Sequence, residues 1–398
     1  MENEITLTIS DLVYPGKGLA RVDGYVIFIR GVLPGETVRA SIKKRHKNFA
    51  EAELIEILEA SPNRIDAACP LYQFCPGCSY QHVDYGFEVA IKQSQFVELL
   101  TRFGRTDPTK TLKPIASPIA LEYRNKIVLH AETNQKRSVL GFIGFDNKTV
   151  FEVPRCLLAV GPINKLLSEL RQRRAFDRVL GSSDQIVLRY TTHDGAMVYR
   201  KVGGYTKKHL IESTIVGPIE VPLRSFSQVN RTVADKIIQR VIELLRVEHP
   251  DWVVDLYCGA GVFTVAALQA AVPRVAAIDT DGWAVRAAEI NAAKHSFSEG
   301  IFLARSAAKG LDQILSQVGR SRWVLILDPP RHGVNPAVIR AISANAPRQI
   351  LYISCAADSL ARDVARLGKL GYTVEHAQLF DMFPRTVYFE SLTFFRRD

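Results

Sequence analysis

An apolar run that ends in a glycine loop constrains this chain most. Trp252 to Tyr257 reads as a buried strand, Cys258-Gly259-Ala260-Gly261 as a tight turn and Val262 to Ala270 as a helix. Strand signals recur at Arg274 to Ile278, Trp323 to Leu327 and Gln349 to Ile353, and helix signals at Asn230 to Leu245, Gly282 to Lys294 and Asp358 to Leu367. Strands alternating with helices predict a doubly wound α/β sheet from about residue 226 to the end. Glycines in the first turn let the backbone approach a ligand, and Asp279 ends the next strand where an acid can hydrogen-bond ribose hydroxyls. A dinucleotide enzyme would share this architecture. The loop, however, has two glycines rather than the three of the dinucleotide fingerprint, and Asp328-Pro329-Pro330-Arg331 is unlike a dehydrogenase.

At 398 residues the chain exceeds one ordinary core and predicts two or three domains. Residues 1 to 60 read as short strands separated by turn chemistry at Tyr14-Pro15-Gly16-Lys17-Gly18 and Val32-Leu33-Pro34-Gly35-Glu36, the pattern of a small β-barrel. Lys43-Lys44-Arg45-His46-Lys47-Asn48-Phe49 then reads as a hairpin tip. Such a charge run is ordinarily a solvated turn; its functional reading is a phosphate-binding loop edged by an aromatic ring. The balance of 51 Lys+Arg against 41 Asp+Glu, a formal +10, favours a polyanionic partner without requiring one. The N-terminus lacks an apolar signal-like core, and no apolar run reaches the ~18–20 residues of a membrane span, so the expected location is cytoplasmic. Nothing in the sequence points to an obligate protein partner.

In a reducing compartment, six cysteines favour metal binding or catalysis over disulfides. Cys69, Cys75 and Cys78 pack three thiols into ten residues, and turns at Pro70, Pro76 and Gly77 let them converge on one metal. Zinc and an iron–sulfur cluster both want four thiolates, and the spacing does not choose between them. Cys156 is the remaining cysteine outside the loops that carry Cys258 and Cys355. Strand-like stretches at Lys126 to His130, Val139 to Phe145, Thr149 to Val153, Gln185 to Tyr190 and Ala196 to Arg200 predict a mainly β middle domain over 61–225.

Together these motifs resemble the RNA uracil-5 methyltransferases that act on tRNA or 23S ribosomal RNA. The resemblance rests on the N-terminal barrel, which is TRAM-like, the Cys-x5-Cys-x2-Cys run, Tyr123-Arg124-Asn125-Lys126 and Phe226-Ser227-Gln228-Val229-Asn230. It continues through Asp255-Leu256-Tyr257-Cys258-Gly259, Asp328-Pro329-Pro330-Arg331, Ser354-Cys355 and Glu390-Ser391-Leu392. It implies a class I methyltransferase domain over 226–398, with Gln228, Tyr257, Asp279 and Asp328 around S-adenosylmethionine. It implies a four-iron, four-sulfur cluster on Cys69, Cys75, Cys78 and Cys156, with Cys355 as nucleophile and Glu390 as base. A TRAM-like barrel together with the cluster most resembles the branch of the family that acts on 23S ribosomal RNA, with tRNA as the alternative. A reading of a different class is a non-catalytic iron–sulfur RNA-binding protein, against which Cys355 and Glu390 both argue.

The chemistry accounts for the residue types. Uracil C5 is a poor nucleophile until a thiolate adds at C6; a base must then remove the C5 proton. Three positions depart from the relatives' pattern: Val262 replaces a polar residue, Phe302 to Ala307 lacks the usual acid, and Tyr388 replaces a histidine. The first two leave the expected donor contacts in question.

Overall fold

The computed structural model describes residues 4–134, 137–172, 185–201, 209–295, 300–319 and 321–397. They divide into two compact units, one formed by residues 1–96, 143–149 and 383–388, the other by 97–142, 150–382 and 389–398.

In the first unit, β1 (Glu4–Thr8), β2 (Asp11–Val13), β3 (Lys17–Val22), β4 (Tyr25–Ile29), β5 (Thr37–Arg45) and β6 (Phe49–Glu59) form one sheet in the order β1-β5-β6-β4-β3-β2. All pairs are antiparallel except β4 with β6. Side chains alternate in and out, so Val38, Ala40 and Ile42 of β5 join Ile27 and Ile29 of β4 in the core. Between β3 and β4, Asp23 and Gly24 both take positive φ, at 48° and 82°. This is the primed two-residue turn whose twist matches a hairpin, and it is why the sequence reads Asp-Gly there.

The hairpin tip is shorter than the sequence predicts. Lys43, Lys44 and Arg45 lie on β5 rather than in a loop, and only His46 to Asn48 turns. The ladder extends to Arg45↔Ala50, and Lys43 pairs with Glu53 at 3.0 Å. At the turn the His46 and Phe49 rings stack at 4.2 Å, and Tyr25 Oη sits 2.6 Å from the carbonyl oxygens of both residues. Helix α1 (Tyr85–Arg102) follows the cysteine-bearing turn, with Glu88 and Lys92 fully buried and paired at 2.7 Å.

In the second unit, β7 (Lys126–Asn134), β8 (Arg137–Ile143), β9 (Val150–Glu152), β10 (Gln185–Thr191) and β11 (Gly195–Arg200) form a sheet ordered β11-β10-β7-β8-β9. Helix α2 (Gly161–Gln172) buries Ile163, Leu167 and Leu170 with Leu129 and Leu188 of that sheet. Strands β12 (His209–Thr214) and β13 (Gly217–Pro222) make a separate hairpin.

The largest sheet of the second unit has seven strands. These are β14 (Trp252–Leu256), β15 (Arg274–Asp279), β16 (Ile301–Ala304), β17 (Trp323–Leu327), β18 (Gln349–Ser354), β19 (Thr373–Phe380) and β20 (Glu390–Arg396), ordered β16-β15-β14-β17-β18-β20-β19. Counted within the sheet the order is 3-2-1-4-5-7-6. The first five are parallel, and β20 runs antiparallel to both its neighbours. Every residue of β14 and β17 is buried, as expected of parallel strands covered on both faces. The accompanying helices are α3 (Arg231–Glu248), α4 (Val262–Gln269), α5 (Gly282–Ala293), α6 (Ala307–Val318), α7 (Pro336–Asn345) and α8 (Ala357–Gly368). Strand order reverses between β14 and β17, and open α/β sheets bind ligands at the carboxyl ends of strands at such a point.

Candidate active site

The carboxyl end of β14 opens into the glycine loop. Tyr257 adopts φ 66°, a left-handed conformation uncommon outside glycine, and its N–H and that of Cys258 both donate to Ile278 O. Gly259 also has positive φ, 52°, and nothing lies within 4 Å of where a Cβ would project, so that side of the loop is open to a ligand. Its N–H donates to Asp279 Oδ2 at 3.0 Å, so the end of β15 holds the loop. At Gly261 a Cβ would press within 2.7 Å of Ala288 on α5, which accounts for the second glycine by packing.

The walls of the cleft beyond this loop include Asn125, Gln228, Tyr257, Gly259, Val262 and Asp328. Asn125 Nδ2 donates to Gln228 O at 3.1 Å, which seats the 226–230 segment. Asn125 Oδ1 and Gln228 Oε1 are buried acceptors without a partner among the described residues. Buried polar atoms are normally satisfied, so these two want donors from a bound molecule. Val262 presents an apolar wall.

Carboxylates concentrate here. Asp255 is fully buried, accepts from Thr264 Oγ1 at 2.7 Å and has its pKa pushed up to about 7, by burial first and by Asp279 second among the raising causes. Burial followed by the charges of Asp255 and Asp279 likewise raises Asp328. An open loop, unpartnered amide oxygens and carboxylates short of positive charge fit a cationic methyl donor with a ribose and an amino-acid end.

Cys355 and Glu390 come together through strand register. Ser354 is the last residue of β18 and pairs with Ser391 of β20, so Cys355, one step beyond Ser354, and Glu390, one step before Ser391, leave the ladder at the same end. The Cys355 thiol is half-buried; burial, then the Glu390 charge, pushes it up to about 12, with Arg331 opposing. Glu390 is buried, and burial together with Asp328 raises it well above the usual carboxylate range. Its Oε2 has no partner among the described residues. Gln228, Tyr257 and Asp328 thus share the cleft, Asp279 braces its loop, and Cys355 and Glu390 form a charge-coupled pair that also feels Asp328. Sequence reasoning gave no role to Asn125 or Asp255, although both stood within motifs it used.

The cysteine turn is a separate matter. Cys69, Cys75 and Cys78 are half-buried and not disulfide-bonded, and the buried Gln81 braces two of them, accepting from Cys69 N at 3.1 Å and donating to Cys78 Sγ at 3.4 Å. Cys156, in the second unit, has its backbone clasped by the Asn164 amide at 2.9 and 3.0 Å. Among the described residues no three His, Cys, Asp or Glu side chains gather into a metal site. The thiolate donor set suits an iron–sulfur cluster chemically, but its geometry is not assembled here.

Sheet order, loop and cleft define a class I, S-adenosylmethionine-dependent methyltransferase. A tRNA (Uracil-5-)-methyltransferase family profile matches residues 219–398, and a TRAM domain profile matches residues 3–55. The 23S rRNA (uracil(1939)-C(5))-methyltransferases of Acidithiobacillus ferrooxidans and Stenotrophomonas maltophilia are each 30% identical to the chain, covering 98% of it and 96% of their own length. The chain belongs to the family of RNA (uracil-5-)-methyltransferases. The crystal structure of a Pyrococcus abyssi tRNA (uracil-54, C5)-methyltransferase with S-adenosyl-L-homocysteine superposes with a TM-score of 0.74 at 19% identity, over 98% of this chain and 100% of that one, a likeness of fold. No helix among the described residues is long and apolar enough to cross a membrane.

Proposed function

We propose that this enzyme methylates C5 of one uridine in 23S ribosomal RNA through a covalent bond between Cys355 and C6 of the base. The observation that carries the reading is the Ser354↔Ser391 register, which sets Cys355 and Glu390 side by side at one sheet end. The bound donor supplies an electrophilic methyl group and one positive charge. Gln228, Tyr257 and Asp328 line its cleft, and Asp279 holds the glycine loop against it. In the unliganded site Cys355 is a neutral thiol, because burial and the neighbouring carboxylates oppose its ionisation. Arg331 supplies the positive charge that favours ionisation, and the thiol proton leaves to solvent as Cys355 adds to the base. Cys355 Sγ then bonds to C6, the electron pair displaced from the C5–C6 double bond makes C5 nucleophilic, and C5 takes the methyl group as its bond to the donor's sulfonium sulfur breaks, that sulfur keeping the electron pair and leaving as a neutral thioether. Glu390 accepts the C5 proton, the C5–C6 double bond re-forms and the Cys355–C6 bond breaks, returning the thiolate.

Residues 1–60 serve as the RNA-binding module in this reading, 61–225 as the cluster-bearing region and 226–398 as the catalytic domain. The thiol spacing and the Gln81 brace support a four-iron, four-sulfur cluster on Cys69, Cys75, Cys78 and Cys156, with no catalytic step assigned to it. A cytosolic location accords with thiols kept reduced.

The full-length relatives named for 23S ribosomal RNA favour that substrate. Mapping 5-methyluridine in 23S ribosomal RNA and tRNA from cells with and without the protein tests it. Loss of one ribosomal 5-methyluridine is expected. Loss confined to tRNA would reassign the substrate, and no loss in either would return the chain to a non-catalytic RNA-binding role.

A further inference from the structure

Asp363 lies on α8, the helix that follows Cys355, and its carboxylate is fully buried in the second unit. A buried carboxylate is costly unless its acceptor positions are filled. Here they are. Asp363 Oδ2 accepts from Val334 N at 2.7 Å and from Tyr352 Oη at 2.9 Å, and Oδ1 accepts from Arg362 Nε at 3.0 Å and Arg366 Nη1 at 3.1 Å. Two of its neighbours on α8 reach the same loop. Ser359 Oγ donates to Arg331 O at 2.7 Å, and Arg362 Nη2 donates to His332 O at 2.7 Å.

Three successive hydrogen bonds therefore fasten Arg331, His332 and Val334 to α8. That loop begins at Asp328, which lines the donor cleft, and it carries Arg331, whose charge acts on the Cys355 thiol. Through Tyr352 the same carboxylate grips β18, the strand that delivers Cys355. Tyr257 in the donor cleft also feels the Asp363 charge. Gly333 completes the arrangement: its φ is +77°, and a Cβ there would collide with Arg362 Nη2 and Asp363 Oδ2. The glycine is what allows the loop to lie this close to the helix.

We propose that Asp363 is a positioning residue, the centre of a clamp that fixes the Asp328–Arg331 loop relative to the Cys355 turn. It touches no substrate. It acts by holding the loop of the donor cleft in register with the Cys355 turn, and a displacement of about 1 Å in such a geometry can cost on the order of 10²-fold in rate. This rests on the proposed roles of Cys355 and Asp328.

The test measures kcat and KM for methyl transfer from S-adenosylmethionine to a 23S ribosomal RNA transcript, with folding of each variant checked by circular dichroism. Asp363→Ala is expected to lower kcat by roughly 10²-fold while KM for donor and RNA stays within about threefold. Asp363→Asn keeps an acceptor for Val334 N–H and Tyr352 O–H and should recover much of that loss. Gly333→Ala, which alters no charge, should reproduce the Asp363→Ala loss, and the double variant should be no worse than either single one, because both break one device. Where Asp363→Ala does not fold, Ser359→Ala removes a single bond to the loop and should still lower kcat several-fold at unchanged KM. Folded variants with wild-type kcat, or losses that multiply in the double variant, would overturn the clamp. A Cys355→Ala enzyme that still methylates would instead overturn the catalytic reading beneath it.

Discussion

Ser391 Oγ donates a 3.3 Å hydrogen bond to Ser354 O, across the same rung of the ladder on which the two serines are register partners. The rung is buried and lies one residue inside both Cys355 and Glu390. An antiparallel neighbour is what makes this possible. A parallel seventh strand could not bring the residue before its first ladder partner to the carboxyl end of β18.

Adjacent placement with successive roles predicts opposite phenotypes. Cys355→Ala should abolish both methyl transfer and any covalent RNA adduct. Glu390→Gln should allow attack and methylation but stall before proton removal, leaving a protein–RNA adduct that survives denaturing electrophoresis. Wild-type enzyme should form the same species with 5-fluorouridine RNA, since fluorine does not leave as a proton does. Near wild-type methylation by Cys355→Ala would end the assignment.

The thiol carries a pH signature. Cys355 is raised to about 12 by burial and by Glu390, so the free enzyme holds almost no thiolate near neutrality. Its rate of alkylation by iodoacetamide should be slow at pH 7 and still rising beyond pH 9, the ordinary thiol value. Glu390→Gln removes a charge that opposes ionisation, so alkylation at pH 8 should speed up. A thiol that titrates below 8 in the wild-type enzyme contradicts the site as described.

How much of this was legible in the sequence varies with the type of feature. The glycine loop and the parallel strands announced themselves because each is local: a turn and an apolar run. The Lys43 to Arg45 strand end did not, because three successive cations hide the alternation that Val38, Ala40 and Ile42 display. Asp363 was invisible for another reason. On sequence it is one acid among Arg362 and Arg366 on an amphipathic helix, an ordinary solvated arrangement. It is buried by contacts the sequence does not show, among them the 331–334 loop and Tyr352.

The strand-borne cations give a measurable RNA prediction. Lys44 and Arg45 are exposed at the end of β5, while Lys43 is partly engaged by Glu53. Replacing all three with Ala should weaken RNA binding and lower the log–log salt slope by about 0.7–0.9 for each phosphate that is no longer neutralised. Lys43→Ala alone should contribute least. An unchanged slope would make this edge a solvated surface.

The thiols are tested by metal content. Protein prepared anaerobically should contain about four irons with acid-labile sulfide, and Cys156→Ala should lose iron and stability together. Stoichiometric zinc without iron would refute the cluster.

The buried Asp255–Thr264 pair makes a last prediction, about stability. Thr264→Val removes the hydroxyl that donates to Asp255 Oδ2 and leaves the carboxylate without that bond in a fully buried position. Losing such a bond costs roughly 1–3 kcal/mol, enough to lower the melting temperature by several degrees. The cost depends on pH, with a definite sign. Asp255 titrates at about 7 in the folded protein and at 3.8 by its ordinary value, so folding favours its protonated form. That contribution is fully present below pH 3.8 and fades as pH rises through 7. The hydroxyl of Thr264 lowers this pKa, meaning that it stabilises the ionised form, so its removal should hurt more at pH 8 than at pH 6. Chemical denaturation of both proteins at the two pH values measures the difference; an equal loss at both would show that Asp255 does not titrate between them.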